Sequence, residues 1–407
     1  MNAFRLAVGV LSVLLACQTS GFAVAHTLER PVDSYVIPFF DRIARAWSPD
    51  DSVGELPAPT PEQLSGAPLP APAETGALDG CCEPKCEKAC PSIYYQLEAL
   101  FLWRHDQLID QPILVDANTG ATFMSTSDLN SGVNYGVRQT FGVRLCGCQA
   151  LELSYFGLFQ GSGSDTAVSP DASAFLIFPD NFAGNVFVGM DRLQADYSSS
   201  LNSLEANMPC CCGCCDEGCG ECCDGCDDGY GFSEVRCQSY EWFAGFRYIH
   251  IGEDLNLFAR RTVAGEVERG SYDIHTSNNL YGVQLGGRTR RTRGRYGWEA
   301  MGKAGIFGND AEQRQSVTDF PDFPLRPTVS SNSTGVAFVG EANLTAIYRV
   351  TREWNLRAGY TAMWIGGLAL APDQLDFDFS SASGGSQLHN GGAILLHGIN
   401  VGIEGRW

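Results

Sequence analysis

From Ile93 to Trp407 the chain alternates apolar and polar residues with a period of two, and this repeat leaves few folds open. A period of two is the signature of a strand whose two faces meet different surroundings. In 94–104, Tyr95, Leu97, Ala99, Phe101 and Trp103 share a face. In 132–145, Val133, Tyr135, Val137, Phe141, Val143 and Leu145 alternate with polar residues and glycines, and 151–159 repeats the pattern from Leu151 to Phe159. Residues 191–206 are polar on both faces and make a poorer strand. Six further segments follow, around Trp242–Tyr248, Tyr281–Arg288, Trp298–Ile306, Val336–Arg349, Trp354–Trp364 and Ile399–Trp407.

A soluble sandwich would also alternate, so other features must decide. The strands number about ten (10–12) with roughly 9–15 residues each, the length of a tilted membrane crossing. With the first strand running outward, the outer connections are 105–131, 160–190, 252–277, 308–333 and 366–392. The inner ones are short, at 146–149, 289–295 and 351–353, with 209–237 as the exception. Short inner turns and long outer loops are the outer-membrane pattern. Trp103, Trp242, Trp298, Trp354, Trp364 and Trp407 lie near strand ends on the apolar face, where an indole anchors at a lipid–water interface. Mean hydropathy is −0.09, and beyond the N-terminus no uncharged apolar run is long enough for a spanning helix. Hydrocarbon tolerates no open sheet edge, so the sheet must close. The expected fold is all-β, an antiparallel transmembrane β-barrel in the outer membrane. Trp407 ends its last strand as barrel-insertion machinery requires, and lipid is the other expected partner.

The N-terminus fits export. Arg5, the apolar stretch Leu6–Ala16 and the small residues Ala23-Val24-Ala25 form a signal over 1–25, while Leu14-Leu15-Ala16-Cys17 offers a competing lipidation box. Residues 26–92 are Pro-rich, favour extended polyproline II and read as a periplasmic extension able to meet an envelope partner. The barrel then occupies 93–407.

Lys+Arg 27 against Asp+Glu 47 gives −20, which excludes nucleic acid as a partner. The inward face nevertheless carries a near-balanced set of Glu98, Arg138, Arg144, Glu152, Arg247, Glu299, Lys303, Glu341, Arg349, Arg357, Glu404 and Arg406. Charges enclosed in a narrow barrel must pair. About ten strands therefore predict a lumen filled largely by ion pairs, passing ions or small solutes at most. The surplus acid falls in the outer loops, at Asp106, Asp110, Asp116, Asp128, Asp373, Asp376 and Asp378. It is either a solvated rim or a divalent-cation bridge to surface polysaccharide.

The cysteines past the signal fall in three groups, all on the inner side of this topology. They are Cys81–Cys90, the pair Cys146 and Cys148, and the insert Cys210–Cys237 within 209–237. CxxC spacings, such as those of Cys211, Cys214, Cys219 and Cys222, suit a thiolate metal site. An oxidising compartment favours disulfides instead, and cross-links to other envelope proteins are the third reading.

The segments YYQLEALFLWRHDQ (94–107), NYGVRQTFGVRL (134–145), LELSYFGLF (151–159), EWFAGFRYIHI (241–251), 335–375 and HGINVGIEGRW (397–407) resemble the bacterial family called putative beta-barrel porin seven. The resemblance implies an outer-membrane barrel, often with a cysteine-rich insert, and supplies no activity, cofactor or site residue. Three functions remain open. One is a porin-like barrel with a narrow lumen. A second is a structural envelope protein joined to periplasmic material through the Pro-rich tail and cysteine knob. A third is a hydrolase using His105 with Asp106, His250 with Glu253, or His275 near Asp273. No nucleophile motif accompanies these histidines, so no catalytic residue and no enzyme activity is expected.

Overall fold

The computed structural model describes residues 93–106, 110–129, 132–144, 150–170, 174–179, 185–212, 236–379 and 384–407. The expected signal, the Pro-rich extension and the cysteine groups, with the side chains of Cys211, Cys214, Cys219 and Cys222, lie outside the described residues. Cys210 alone is described, as a free and exposed thiol.

In chain order the strands are β1 (Ile93–Asp106), β2 (Pro112–Asp116), β3 (Thr122–Ser125), β4 (Val133–Arg144), β5 (Ala150–Val168), β6 (Leu176–Ile177) and β7 (Val188–Met190). They continue as β8 (Arg192–Cys212), β9 (Arg236–Val263), β10 (Glu266–Arg293), β11 (Tyr296–Asp319), β12 (Phe323–Arg349), β13 (Trp354–Leu368) and β14 (Gly392–Arg406). Ten of them close an antiparallel barrel in the order β1-β14-β13-β12-β11-β10-β9-β8-β5-β4. The seam is β1 on β14, in register from Tyr94 opposite Arg406 to Asp106 opposite Ile394. Ile93 N–H donates to the Trp407 carbonyl and Trp407 N–H to that of Ile93, each at 2.9 Å. No barrel edge is left open, which is what a hydrocarbon surrounding demands.

The wall is lopsided. β9 and β10 have 28 residues each and β12 has 27, whereas β1 has 14 and β4 has 12. At ~3.3 Å per residue and ~40° tilt, the tall side rises about 70 Å and the short side about 36 Å. The expected outer loops 252–277 and 308–333 are therefore wall, a correction to the connector pattern. β9 and β10 join through Ala264 and Gly265, both at positive φ (53° and 89°), as a two-residue hairpin turn requires.

The apolar row changes side partway up each tall strand. On β9, Trp242, Phe246 and Tyr248 face outward, but Ile249, Ile251, Leu255, Leu257 and Ala259 are buried inward. On β10, exposed Tyr281, Val283 and Leu285 give way above to Ser277, His275 and Asp273. The lower half is dressed for lipid and the upper half for water.

A second sheet, ordered β3-β2-β6-β7, is built from the β1–β4 and β5–β8 connections. It leans on the inner surface of the tall wall, packing Ile113, Leu114, Met124, Phe178 and Phe187 against Leu193, Tyr197, Leu257, Tyr272 and Val317. This cap occupies the space above the short strands.

Candidate functional site: the lumen

The inward residues of β9 read the lumen from bottom to top: Arg247, then Ile249 and Ile251, then Glu253, then Leu255, Leu257 and Ala259. Each step belongs to a layer completed by other strands.

The lowest layer is ionic. Arg357 on β13 reaches Glu98 on β1 (3.1 Å), Glu299 on β11 (2.8 Å) and Glu404 on β14 (2.7 Å). Glu404 also holds Arg290 (3.0 Å) and Arg406 (2.6 Å). Glu341 on β12 receives Arg138 from β4 (2.6 Å), Arg247 from β9 (3.0 Å) and Lys303 from β11 (3.1 Å). Lys303 and Arg247 share Glu205 on β8, at 2.8 and 3.2 Å. Glu152 takes Arg288 (2.9 Å) and the Tyr94 hydroxyl, and Arg144 lies 3.9 Å from Glu241. Arg349 stands at the inner end of β12, where its N–H donates to the Arg295 carbonyl. Several pairs, such as Arg138–Glu341 and Arg290–Glu404, join strands four places apart in the ring, so they span the lumen. A cavity of about 50 Å³ open to water centres remains among Glu98, Arg138, Glu205, Lys303, Glu341 and Arg357. That is room for a few water molecules.

Above it comes an apolar layer, which the expectation of a lumen filled by ion pairs did not contain. Leu100, Leu102, Phe156, Leu158, Leu201, Ile249, Ile251, Leu280, Phe307, Val339, Met363, Ile365, Ile394 and Leu396 meet across the barrel. Every wall strand except β4 contributes. The gap at β4 is filled by Asn134, which borders a small void of about 10 Å³ beside Arg104 and Ser199. Sequence reading assigned these apolar residues to the polar face of their strands or to loops.

A polar seam follows. Arg104 on β1 pairs with Glu253 on β9 and donates to Ser199. The other Glu253 oxygen accepts Ala371 N–H at 2.8 Å, tying down the β13–β14 connection. That connection is gripped throughout its course. Asn278 donates to the Ala369 carbonyl and accepts from the Ala369 N–H, both at 2.8 Å. Gln315 donates to Gln374 O (2.8 Å), and Arg326 to Asp378 O (3.0 Å). Burial pushes the Tyr272 phenol up to about 12, so it stays a donor at 2.8 Å to Gln315.

The outer-loop acids are engaged locally. Asp116 accepts from Thr119, Phe175 N–H and Asn118 N–H, with the Thr119 hydroxyl as the main cause that lowers its carboxyl. Asp128 accepts from Ser125 N–H, and Asp376 from Gly385 N–H and Asp378 N–H. Among the described residues no group of three metal-ligating side chains occurs.

The six tryptophans face outward. Trp103 and Trp364 stand toward the outer side of the belt, and Trp242, Trp298, Trp354 and Trp407 toward the inner side, with Trp354 and Trp407 edge to face at 5.5 Å. The histidine pairings differ from those expected. His105 stacks on His397, with ring centroids 4.9 Å apart. His250 meets Asn279 at 3.1 Å, whereas Glu253 points into the lumen because an odd spacing puts the two on opposite faces. His275 pairs with Asp254 at 2.8 Å, not with Asp273, and Asp254 lies between it and Ser198 in the register. An acid between the imidazole and the serine is not the order a hydroxyl nucleophile needs.

Sequence reading missed Glu205, Arg288, Arg290 and Glu241. Glu205 lies in the segment that is polar on both faces, yet exposed Leu204 and Met208 beside it mark its inward side.

Solved barrels share the architecture at low identity. The outer membrane protease OmpT of Escherichia coli is 8% identical, covering 79% of this chain and 99% of its own, with a TM-score of 0.40. A Pseudomonas aeruginosa FadL homologue is 7% identical over 78% and 90%, with a TM-score of 0.28. The Pseudomonas putida toluene transporter TodX is 10% identical over 78% and 89%, with a TM-score of 0.22. No curated protein matches in sequence. The profile described as Putative beta barrel porin-7 matches residues 107–320, which takes in β2 to β11 but not the resembling segments 335–375 and 397–407. Because that match spans more than half of the sequence, the chain belongs to the putative beta barrel porin-7 family.

Proposed function

We propose that this outer-membrane barrel is closed to solutes and serves as a structural element of the envelope. The observation that carries this reading is the apolar layer, whose side chains come from the wall itself. A solute crossing it would shed its water with no polar partner in reach, at a cost of about 2–7 kcal/mol for each polar group. Lifting the cap would not clear the path, because Leu102, Ile251, Phe307 and Met363 belong to barrel strands. In this reading the six tryptophans anchor the belt in lipid, the twelve inward charges hold the wall together, and no residue is catalytic. The Pro-rich and cysteine-rich segments supply the periplasmic link.

Passage of water or a small ion is the second reading, favoured by the water-sized cavity in the ionic layer. Proteoliposome swelling separates the two. The closed reading expects no swelling above empty liposomes with glycine or arabinose outside. Swelling that matches an open porin control overturns it.

A further inference from the structure

Three arginines stand shoulder to shoulder on the outer surface of the tall wall. Arg192 on β8 is directly opposite Arg260 on β9, and Arg260 is directly opposite Arg269 on β10. All three are exposed, and all three lie on the outward face that carries Trp242 and Phe246 lower on β9. No ion pair or side-chain hydrogen bond joins any of them to another described residue. Neighbouring strands are ~4.8 Å apart, well inside the ~8 Å screening length of physiological salt, so the three cations act as one field. Like charges placed directly opposite one another oppose sheet formation. Their alignment in a chain with a net charge of −20 is therefore not what folding alone would select.

The surroundings narrow the partner. Phe258 lies one outward position below Arg260 and is exposed, and exposed Val168 lies opposite Arg192 on β5. The nearest outward acids are Asp196 and Asp273, four residues down their strands, or about 13 Å. Tyr248 marks the top of the apolar belt on β9, and Arg260 lies twelve positions further along the same strand. At ~3.3 Å per residue and ~40° tilt that is about 30 Å beyond the belt, out of reach of lipid headgroup phosphates. An anion met there must come from a polymer outside the membrane. Guanidinium groups suit carboxylate, sulfate or phosphate oxygens, and a row of them suits successive charges on one chain.

We propose that Arg192, Arg260 and Arg269, with Phe258 beneath them, bind an acidic polysaccharide at the cell surface. The chain runs across β8, β9 and β10, its anions on the guanidinium groups and the apolar face of a sugar ring on Phe258. This surface is separate from the lumen and does not rest on whether the barrel conducts.

Binding of polygalacturonate and of dextran sulfate to the refolded full-length protein in detergent, read by biolayer interferometry, tests the assignment. The triple variant R192Q/R260Q/R269Q is compared with the charge-matched control R291Q/R314Q/R352Q, and heat-modifiable gel mobility shows that both are folded. The expected result is salt-dependent binding of at least one polymer, weakened about tenfold or more in the triple variant and unchanged in the control. F258A should weaken binding about threefold without altering the salt dependence. Failure of the wild-type protein to bind either polymer overturns the proposal, as does equal loss in the two triple variants. Binding of a single-stranded oligonucleotide as tight as that of the polysaccharides also overturns it, since the row would then be an unselective anion surface.

Discussion

Arg104 and Glu253 face each other across the barrel, on strands four places apart in the ring, with both side chains buried and the carboxylate holding the loop amide of Ala371 as well. The pair joins the short wall, the tall wall and the mouth connection at one point. Removing the cation leaves a buried carboxylate without its partner. Arg104→Met should therefore destabilise the protein by about 3–5 kcal/mol in urea unfolding followed by tryptophan fluorescence, whereas Arg104→Met with Glu253→Leu should recover most of that loss.

The apolar layer makes a second prediction. Leu102, Ile251 and Met363 each have essentially no exposure and come from three different strands. Replacing all three by serine should wet the layer and give small conductance steps in planar bilayers. Shortening the β1–β4 connection, which removes β2 and β3 of the cap, should not.

The position of the lipid belt can be read by arginine scanning. Leu285 points outward and is 70% exposed midway along the apolar face of β10, while Asn332 is exposed on the upper part of β12. Leu285→Arg should cost about 2–4 kcal/mol of folding in lipid vesicles. Asn332→Arg, standing in water, should change stability by less than about 0.5 kcal/mol.

Asn278 fixes the mouth connection through a two-way bond to Ala369. Asn278→Ala should release it, raising amide hydrogen exchange at Ala369 and Ala371 by about tenfold or more while exchange in β13 stays slow.

The period of two was sufficient to read β1, β4, β13 and β14 from sequence, because in these short strands the apolar face meets lipid along almost the whole length. It misled on β9 to β12. There the apolar residues cross from the outer face to the inner one, and around Phe246–Ile251 both faces are apolar or aromatic for several residues. Taking apolar to mean lipid-facing, one loses the strand at the crossing and reads the rest as loop. The alternation of Leu255, Leu257 and Ala259 with Asp254, Asn256 and Arg260 was nonetheless present in the sequence. The lumen charges were legible wherever an apolar outer face flanked them, as for Glu341 and Arg357. Which acid meets which base was not, since Arg138 and Glu341 are 203 residues apart and their meeting depends on barrel closure and shear.

The central claim is that the wall's own side chains shut the lumen. Single-channel recording of the refolded wild-type protein in planar bilayers, across moderate voltages in 1 M KCl, tests it most directly. The account predicts a baseline indistinguishable from protein-free lipid. Regular, reproducible steps of the size an open porin gives would contradict it.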